Sequence, residues 1–290
     1  MTSVTPDSLL VGAFLPSPNH GERRGFARPD SVILHYTGMA TAQGALDLLR
    51  DPKSELSSHY FIAEDGQIIQ LVAEARRAHH AGVGVWKGER DLNSASIGIE
   101  IVNRGHDGDL PPFPQAQVEA TIALCRDIIS RHTIRPERIL AHSDIAPARK
   151  RDPGERFPWD VLARGGVGHW VEPAPIGDAA AFGRGQEGPH VRSLQALLAL
   201  YGYGVEMTGV YDRATEIVVT AFQRHFRPKK VDGEPDASTI ATLRALIDGL
   251  PERSRRRLTL RLCLRLDGRL RLLPDRLPVR VRPSPLSLLL

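Results

Sequence analysis

Residues 31–38 read SVILHYTG, a short apolar run that closes on His35 and a glycine. The run is too short for a helix, and Val32 and Ile33 are β-branched. It predicts a buried strand whose end presents a histidine. The chain around it keeps alternating in character. TAQGALDLLR (41–50) has helical spacing. SSHYFIAEDGQIIQLV (57–72) is two apolar runs around Asp65-Gly66, a hairpin signal. SIGIEIV (96–102) alternates with the period of a strand, which puts Ile97, Ile99 and Ile101 on one face and Gly98, Glu100 and Val102 on the other. Pro114 opens a predicted helix over 115–132, with Val118, Ile122, Cys125 and Ile129 on one side. PERILAH (136–142) reads as a short strand that delivers His142. Strands interleaved with helices predict an α/β domain over about residues 25–165.

The remainder has a different texture. Residues 165–185 are rich in Gly, Ala and Pro and read as a linker. Beyond it Val191, Leu194, Leu197 and Leu198 fall at helical spacing. Two further helices follow, opened by Thr215 and by Asp236 or Ser238, so a small three-helix module is expected. Residues 251–290 alternate Leu with Arg and hold eleven Arg against three acidic residues. The whole chain of 290 residues carries +4, so its first 250 residues carry −4. The basic character belongs to the tail, and nucleic-acid binding is not read from the overall charge. The tail is expected to be disordered. A sharper alternative is an Arg-rich arm for anionic polymers or membrane surfaces, under which its removal would abolish function.

No apolar run reaches the ~20 residues of a membrane span. The N-terminus lacks the basic start of a secretory signal, which reads as cytoplasmic. Cys125 and Cys263 form no Cys-x-x-Cys pair and are expected as simple thiols.

The candidate chemistry gathers around AHSDIAPARKRDPG (141–154), a stretch whose prolines are expected to forbid a regular helix. A hydrolytic zinc site needs three ligands and an open position. His35 and His142 end strands, and Asp152 lies ten residues beyond His142, so the three can converge at one sheet edge. Lys150 and Asp152 point the same way in an extended segment. A lysine there could stabilise an oxyanion. Glu100 is unusual in a strand and, facing a cleft, could act as a general base. Singly, each residue also fits an ordinary role: a half-buried His, a turn Asp, a solvated Lys or Glu. Asp144 could support His142 or cap a turn. Arg90 could pair with a substrate carboxylate, or be a surface arginine beside a turn residue, Asn93.

Taken jointly, VILHYTG, HHAGVG with DLNSASIGIEIVN, and AHSDIAPARKRDPG resemble, in order and spacing over about residues 30–160, the zinc-dependent N-acetylmuramoyl-L-alanine amidases of the amidase-2 family. These are relatives of peptidoglycan-recognition proteins. The resemblance implies a mixed central sheet flanked by helices. It implies zinc held by His35, His142 and Asp152, Glu100 as catalytic carboxylate and Lys150 as transition-state stabiliser. His80 aligns with the family histidine, and His79 replaces a tryptophan in the cleft wall. His80, Arg90 and Asn93 are therefore the expected substrate contacts. The implied reaction is hydrolysis of the amide joining N-acetylmuramic acid to L-alanine in peptidoglycan or muropeptides. The alternative is a non-catalytic peptidoglycan-recognition protein. Residues 186–247 resemble a three-helix peptidoglycan-binding domain through Leu194-Gln195, Gly202-Tyr203, Phe222-Gln223 and Asp232-Gly233. The expected organisation is a catalytic domain at 1–165, a linker at 166–185, a peptidoglycan-binding domain at 186–250 and a tail at 251–290, in a monomer. A wall-binding module points to the periplasm or cell wall rather than the cytoplasm, and the sequence leaves both open.

Overall fold

The computed structural model describes residues 5–177 and 182–251. Most of the Arg/Leu tail, with Cys263, lies outside them. The strands are β1 (Ala13–Phe14), β2 (His20–Glu22), β3 (Ser31–Tyr36), β4 (Tyr60–Ile62), β5 (Ile68–Gln70), β6 (Arg76–Ala78), β7 (Ser96–Ile101) and β8 (Ile139–Ala141). The helices are α1 (Ala42–Arg50), α2 (Leu92–Ala95), α3 (Gln115–His132), α4 (His142–Ile145), α5 (Trp159–Arg164), α6 (Pro189–Tyr201), α7 (Arg213–Phe226) and α8 (Ala237–Gly249).

A six-stranded sheet runs in the order β1-β5-β4-β7-β3-β8. It is mixed: β3 pairs in parallel with both β7 and β8, and β4 with β5 forms the antiparallel hairpin expected around Asp65-Gly66. Strand alternation decides what each face meets. Val32, Leu34, Ile97, Ile99 and Ile101 pack with Leu124, Cys125 and Ile128 of α3. Burial pushes the Cys125 thiol up to about 12, so it is inert. The opposite face carries Ile33, His35, Gly98 and Glu100. The register sets His35 beside Glu100 and Leu34 beside Ala141, one residue before His142. The candidate residues thus emerge together at the C-terminal ends of three adjacent parallel strands, where open α/β sheets place their sites.

Three local expectations are corrected. The buried side of α3 is turned toward Leu124 and Ile128, with Gln117 and Thr121 also inside, while Ile122 and Ile129 sit at its margin. Gln117 is admitted because its amide donates to Ile62 O and Val102 O, satisfying strand-end carbonyls. Helix α7 is capped by Asp212 instead of Thr215, the Asp212 carboxylate accepting from Thr215 N, whereas α8 is capped by Asp236, one of the two residues expected, which accepts from Thr239 N. The stretch after β8 is also not free of helix: His142–Ile145 form one helical turn, ended before Pro147.

The three C-terminal helices do not build a separate core. Ile33, Ala81, Trp86, Leu140 and Ile145 of the sheet half belong to one cluster with Val191, Leu194, Leu198, Phe222, Leu243 and Leu246. Trp86 seats against Tyr201 and Tyr203 at ring separations of 6.1 and 5.0 Å. Gly202, at φ +152°, permits that approach, since a Cβ there would stand 2.6 Å from the Trp86 ring. The stretch expected as a linker is laid along this junction. Val167 is buried, His169 Nδ1 lies 3.0 Å from Tyr201 Oη, and Ala174 exchanges hydrogen bonds with Thr242 and Ser238 of α8.

Because the apolar cluster is shared, the sheet half and the helices should unfold together. Calorimetry is expected to show one transition. Leu198→Ala in α6 should destabilise that same transition by about 2–5 kcal/mol; two separable transitions, only one shifted, would contradict the shared core.

Candidate metal centre

His35, His142 and Asp152 converge from three chain segments, and all three are buried. His35 Nδ1 lies 2.8 Å from His142 Nδ1 and 3.1 Å from Asp152 Oδ2, and His142 Nδ1 lies 2.9 Å from the same oxygen. Among the described residues this is the one His/Cys/Asp/Glu cluster that could hold a metal ion.

Whether a cation fits depends on where the protons are. His142 Nε2 faces Ala81 O at 3.0 Å, and a carbonyl only accepts, so Nε2 carries the proton and Nδ1 is bare. For His35 the assignment passes through two neighbours. The Ser96 hydroxyl donates to Leu92 O at 2.5 Å, leaving its oxygen to accept from His80 Nε2 at 3.4 Å. His80 Nδ1 is then the acceptor for His35 Nε2–H at 3.0 Å. His35 Nδ1 is thereby bare as well. Burial, then the neighbouring His142, lowers His35 to about 4 despite Asp152, so the ring is neutral near pH 7. Burial would raise Asp152, but the two imidazoles hold it well below the usual carboxylate range. Two bare nitrogens and a carboxylate oxygen thus face one point with no proton among them. A divalent cation accepting two imidazoles and a carboxylate satisfies that arrangement, and the donor set is one that zinc takes.

The supporting residues correct two of the three expected substrate contacts. His80 lines the cavity, and both its ring nitrogens are engaged by His35 and Ser96, so it also orients a ligand ring. Asn93 faces away from the cavity, because the α2 turn folds beneath the His80 loop. Its Oδ1 accepts from His80 N and Ala81 N. Arg90 is exposed and does not line the cavity. Ser96 and His59 were missed by sequence reasoning. His59 Nδ1 accepts from Gly98 N, and neither residue has a motif to mark it.

In front of the cluster lies a cavity of about 350 Å³. Glu100 lines it, and its Oε2 is shielded from solvent without a hydrogen-bond partner among the described residues. Lys150 also lines it, and its ammonium makes no hydrogen bond or ion pair among the described residues. Met39, Leu48 and Leu56 form an apolar wall, His79 stands where the cleft wall was expected, and Arg149 and Arg151 add positive charge. Arg149 is partly committed, donating to Val83 O at 2.8 Å and to Ala81 O.

Comparison with known proteins agrees with this geometry. Residues 25–155 match the N-acetylmuramoyl-L-alanine amidase family, and residues 187–243 match a peptidoglycan binding domain family. The N-acetylmuramoyl-L-alanine amidase AmiD of Escherichia coli is 40% identical over 236 residues, covering 77% of this chain and 84% of AmiD. The 1,6-anhydro-N-acetylmuramyl-L-alanine amidase AmpD of Enterobacter cloacae is 32% identical over 168 residues, covering 52% of this chain and 88% of AmpD. Among solved structures, E. coli AmiD in complex with anhydro-N-acetylmuramic acid-L-Ala-D-gamma-Glu-L-Lys superposes with a TM-score of 0.66 at 37% identity, covering 79% of this chain and 97% of that one. AmpDh3 of Pseudomonas aeruginosa superposes at 0.63 and 30% identity, covering 87% of this chain and all of that one.

The relay behind His35 depends on a glycine. A Cβ on Gly98 would stand inside contact distance of the His80 ring. Gly98→Ala is expected to cost about 1–3 kcal/mol in urea unfolding, as overpacking does. An unchanged midpoint would mean that His80 is not held against β7.

Proposed function

Since the chain belongs to the N-acetylmuramoyl-L-alanine amidase family, we propose that zinc, held by His35, His142 and Asp152, serves its hydrolysis of the amide between N-acetylmuramic acid and L-alanine. The observation that carries the catalytic reading is the unpaired Glu100 Oε2 beside that cluster. A buried polar oxygen without a partner costs about 1–3 kcal/mol. A protein that only recognised its ligand would gain nothing from that cost, so the non-catalytic alternative is disfavoured.

When bound, the metal supplies Lewis acidity toward the amide carbonyl and the attacking water. Glu100 takes a proton from that water as its oxygen adds to the lactyl carbonyl carbon. It returns the proton to the alanine nitrogen as the C–N bond breaks. Lys150 holds the carbonyl oxygen as negative charge develops on it. The products are the lactyl carboxylate and the free amine of the peptide.

The substrate class follows from the cavity walls. A stem peptide carries both carboxylates and aliphatic carbon, and the cavity is lined by Lys150 and Arg151, the latter also paired with Asp107, together with Met39, Leu48 and Leu56. The substrate in the E. coli AmiD complex has this chemistry, which supports muropeptides as substrates here. The match at residues 187–243 supports a second role for the helices, holding the enzyme on wall polymer and raising its local concentration there. No helix among the described residues is long and apolar enough to cross a membrane.

Glu100 gives the sharpest test. In the metal-free protein burial, reinforced by the Asp152 charge, pushes its carboxyl well above the usual range, and Lys150 draws it partly back. The folded state then keeps a proton that the unfolded chain releases. Stability is therefore lost as pH rises above the unfolded carboxyl value of about 4.3. Glu100→Gln should lower kcat by about 10²–10⁴-fold with zinc content unchanged. It should also raise the metal-free unfolding midpoint at pH 7, with the gap closing as pH falls toward 4. A fully active variant would remove Glu100 from the reaction. An active wild type lacking zinc would remove the metal.

A further inference from the structure

The C-terminal module bonds the segments that carry two of the ligand residues, at three places that wall binding does not require. Tyr203, just past α6, donates its hydroxyl to Asp144 Oδ1 at 2.6 Å. His225 of α7 donates Nδ1–H to Asp144 Oδ2 at 2.6 Å. Asp144 lies two residues from His142 in α4, and its Oδ2 also accepts from Ala141 N at 2.8 Å, pinning the turn on which His142 stands. The residue before His225 grips the other ligand segment. Arg224 Nε lies 3.3 Å from Glu155 Oε2, three residues after Asp152. The same oxygen pairs with His106 Nε2 at 3.0 Å, and His106 Nδ1 lies 3.0 Å from the hydroxyl of Tyr36, the neighbour of His35.

We propose that the helical module is a working part of the metal site, with Tyr203, Arg224 and His225 as positioning residues that brace the segments carrying His142 and Asp152. This rests on the reading of His35, His142 and Asp152 as ligands. The physical case begins with α4. Four residues make one helical turn, which cannot hold its own shape. Its fixed point is the buried Asp144 carboxylate, and two of that carboxylate's three hydrogen-bond partners among the described residues come from the module. The donors are themselves fixed. The His225 ring is stacked 3.7 Å from both Trp159 and Phe226, and Tyr203 packs edge-on to Trp86 at 5.0 Å. Consecutive residues of one rigid helix thus reach both ligand-bearing segments, so a shift of α7 moves His142 and Asp152 together.

The test removes the hydrogen bonds while keeping the packing. Tyr203→Phe and His225→Phe are combined in the full-length chain, with Arg224→Met as a separate variant at the edge of the contact. Zinc affinity is read by chelator competition, the site by the visible absorption of bound Co²⁺, and turnover on a soluble muropeptide that needs no wall anchoring. Leu246→Ala, buried in α8 and not a hydrogen-bond partner of Asp144 or Glu155, is the control for general loosening. The expected result is zinc binding weakened by about 10–100-fold in the double variant, an altered Co²⁺ spectrum, and a lower kcat with little change in KM. The control should keep wild-type zinc affinity. Arg224→Met should move the same way, and it decides the matter if the buried pair does not fold. Wild-type zinc affinity and kcat in these variants would overturn the brace, as would equal weakening in the Leu246→Ala control. A wild type that neither binds zinc nor turns over would overturn the ligand reading and the brace with it.

Discussion

Three unprotonated donor atoms, two imidazole nitrogens and a carboxylate oxygen, meet within 3.1 Å inside the protein. Left alone they repel, and each has lost the water that would otherwise solvate it. The arrangement persists because both imidazoles are tied down from behind. His142 is held by the Ala81 carbonyl, and His35 by a relay through His80 to Ser96. Much of the molecule can be read as the means of imposing that meeting. Parallel pairing of β3 with β7 and β8 brings the strand ends level, Asn93 fixes the loop behind His80, and Gly98 leaves room for the ring.

The same logic accounts for Glu100. It points from β7 into the cavity beside its strand partner His35, and one carboxylate oxygen is left buried and unpaired. An interior evolved for stability alone would fill that position with an apolar residue or a bonded amide. Unspent hydrogen-bonding capacity in a cleft is instead available to a water or a reacting group. Stability and chemistry therefore pull in opposite directions at this residue, while they coincide at His59, whose ring accepts from Gly98 N, meets Arg23 and packs against His80.

What could be read in the sequence was what depends on short range. Strand period placed Glu100 opposite the isoleucines, and the apolar run 31–38 delivered His35. The hairpin at Asp65-Gly66 and the three C-terminal helices were legible for the same reason. The supporting groups were not. Asn93 looked like a substrate contact because nothing local shows that a four-residue turn folds it under the His80 loop. Tyr203 and His225 lie 59 and 81 residues from Asp144, and only the docked helices reveal that they share its carboxylate. The Gly-, Ala- and Pro-rich stretch after residue 165 suggested a separable module. Composition does not report that Val167, His169 and Ala174 are tied into the junction.

The central claim is that two imidazoles and one carboxylate hold the ion, with His80 behind them and no thiolate. X-ray absorption at the zinc edge of the loaded full-length protein tests it most directly. The account expects a shell of nitrogen and oxygen whose outer scattering fits two imidazoles, with the remaining positions taken by oxygen. A sulfur contribution, or scattering that requires a third imidazole, would contradict it.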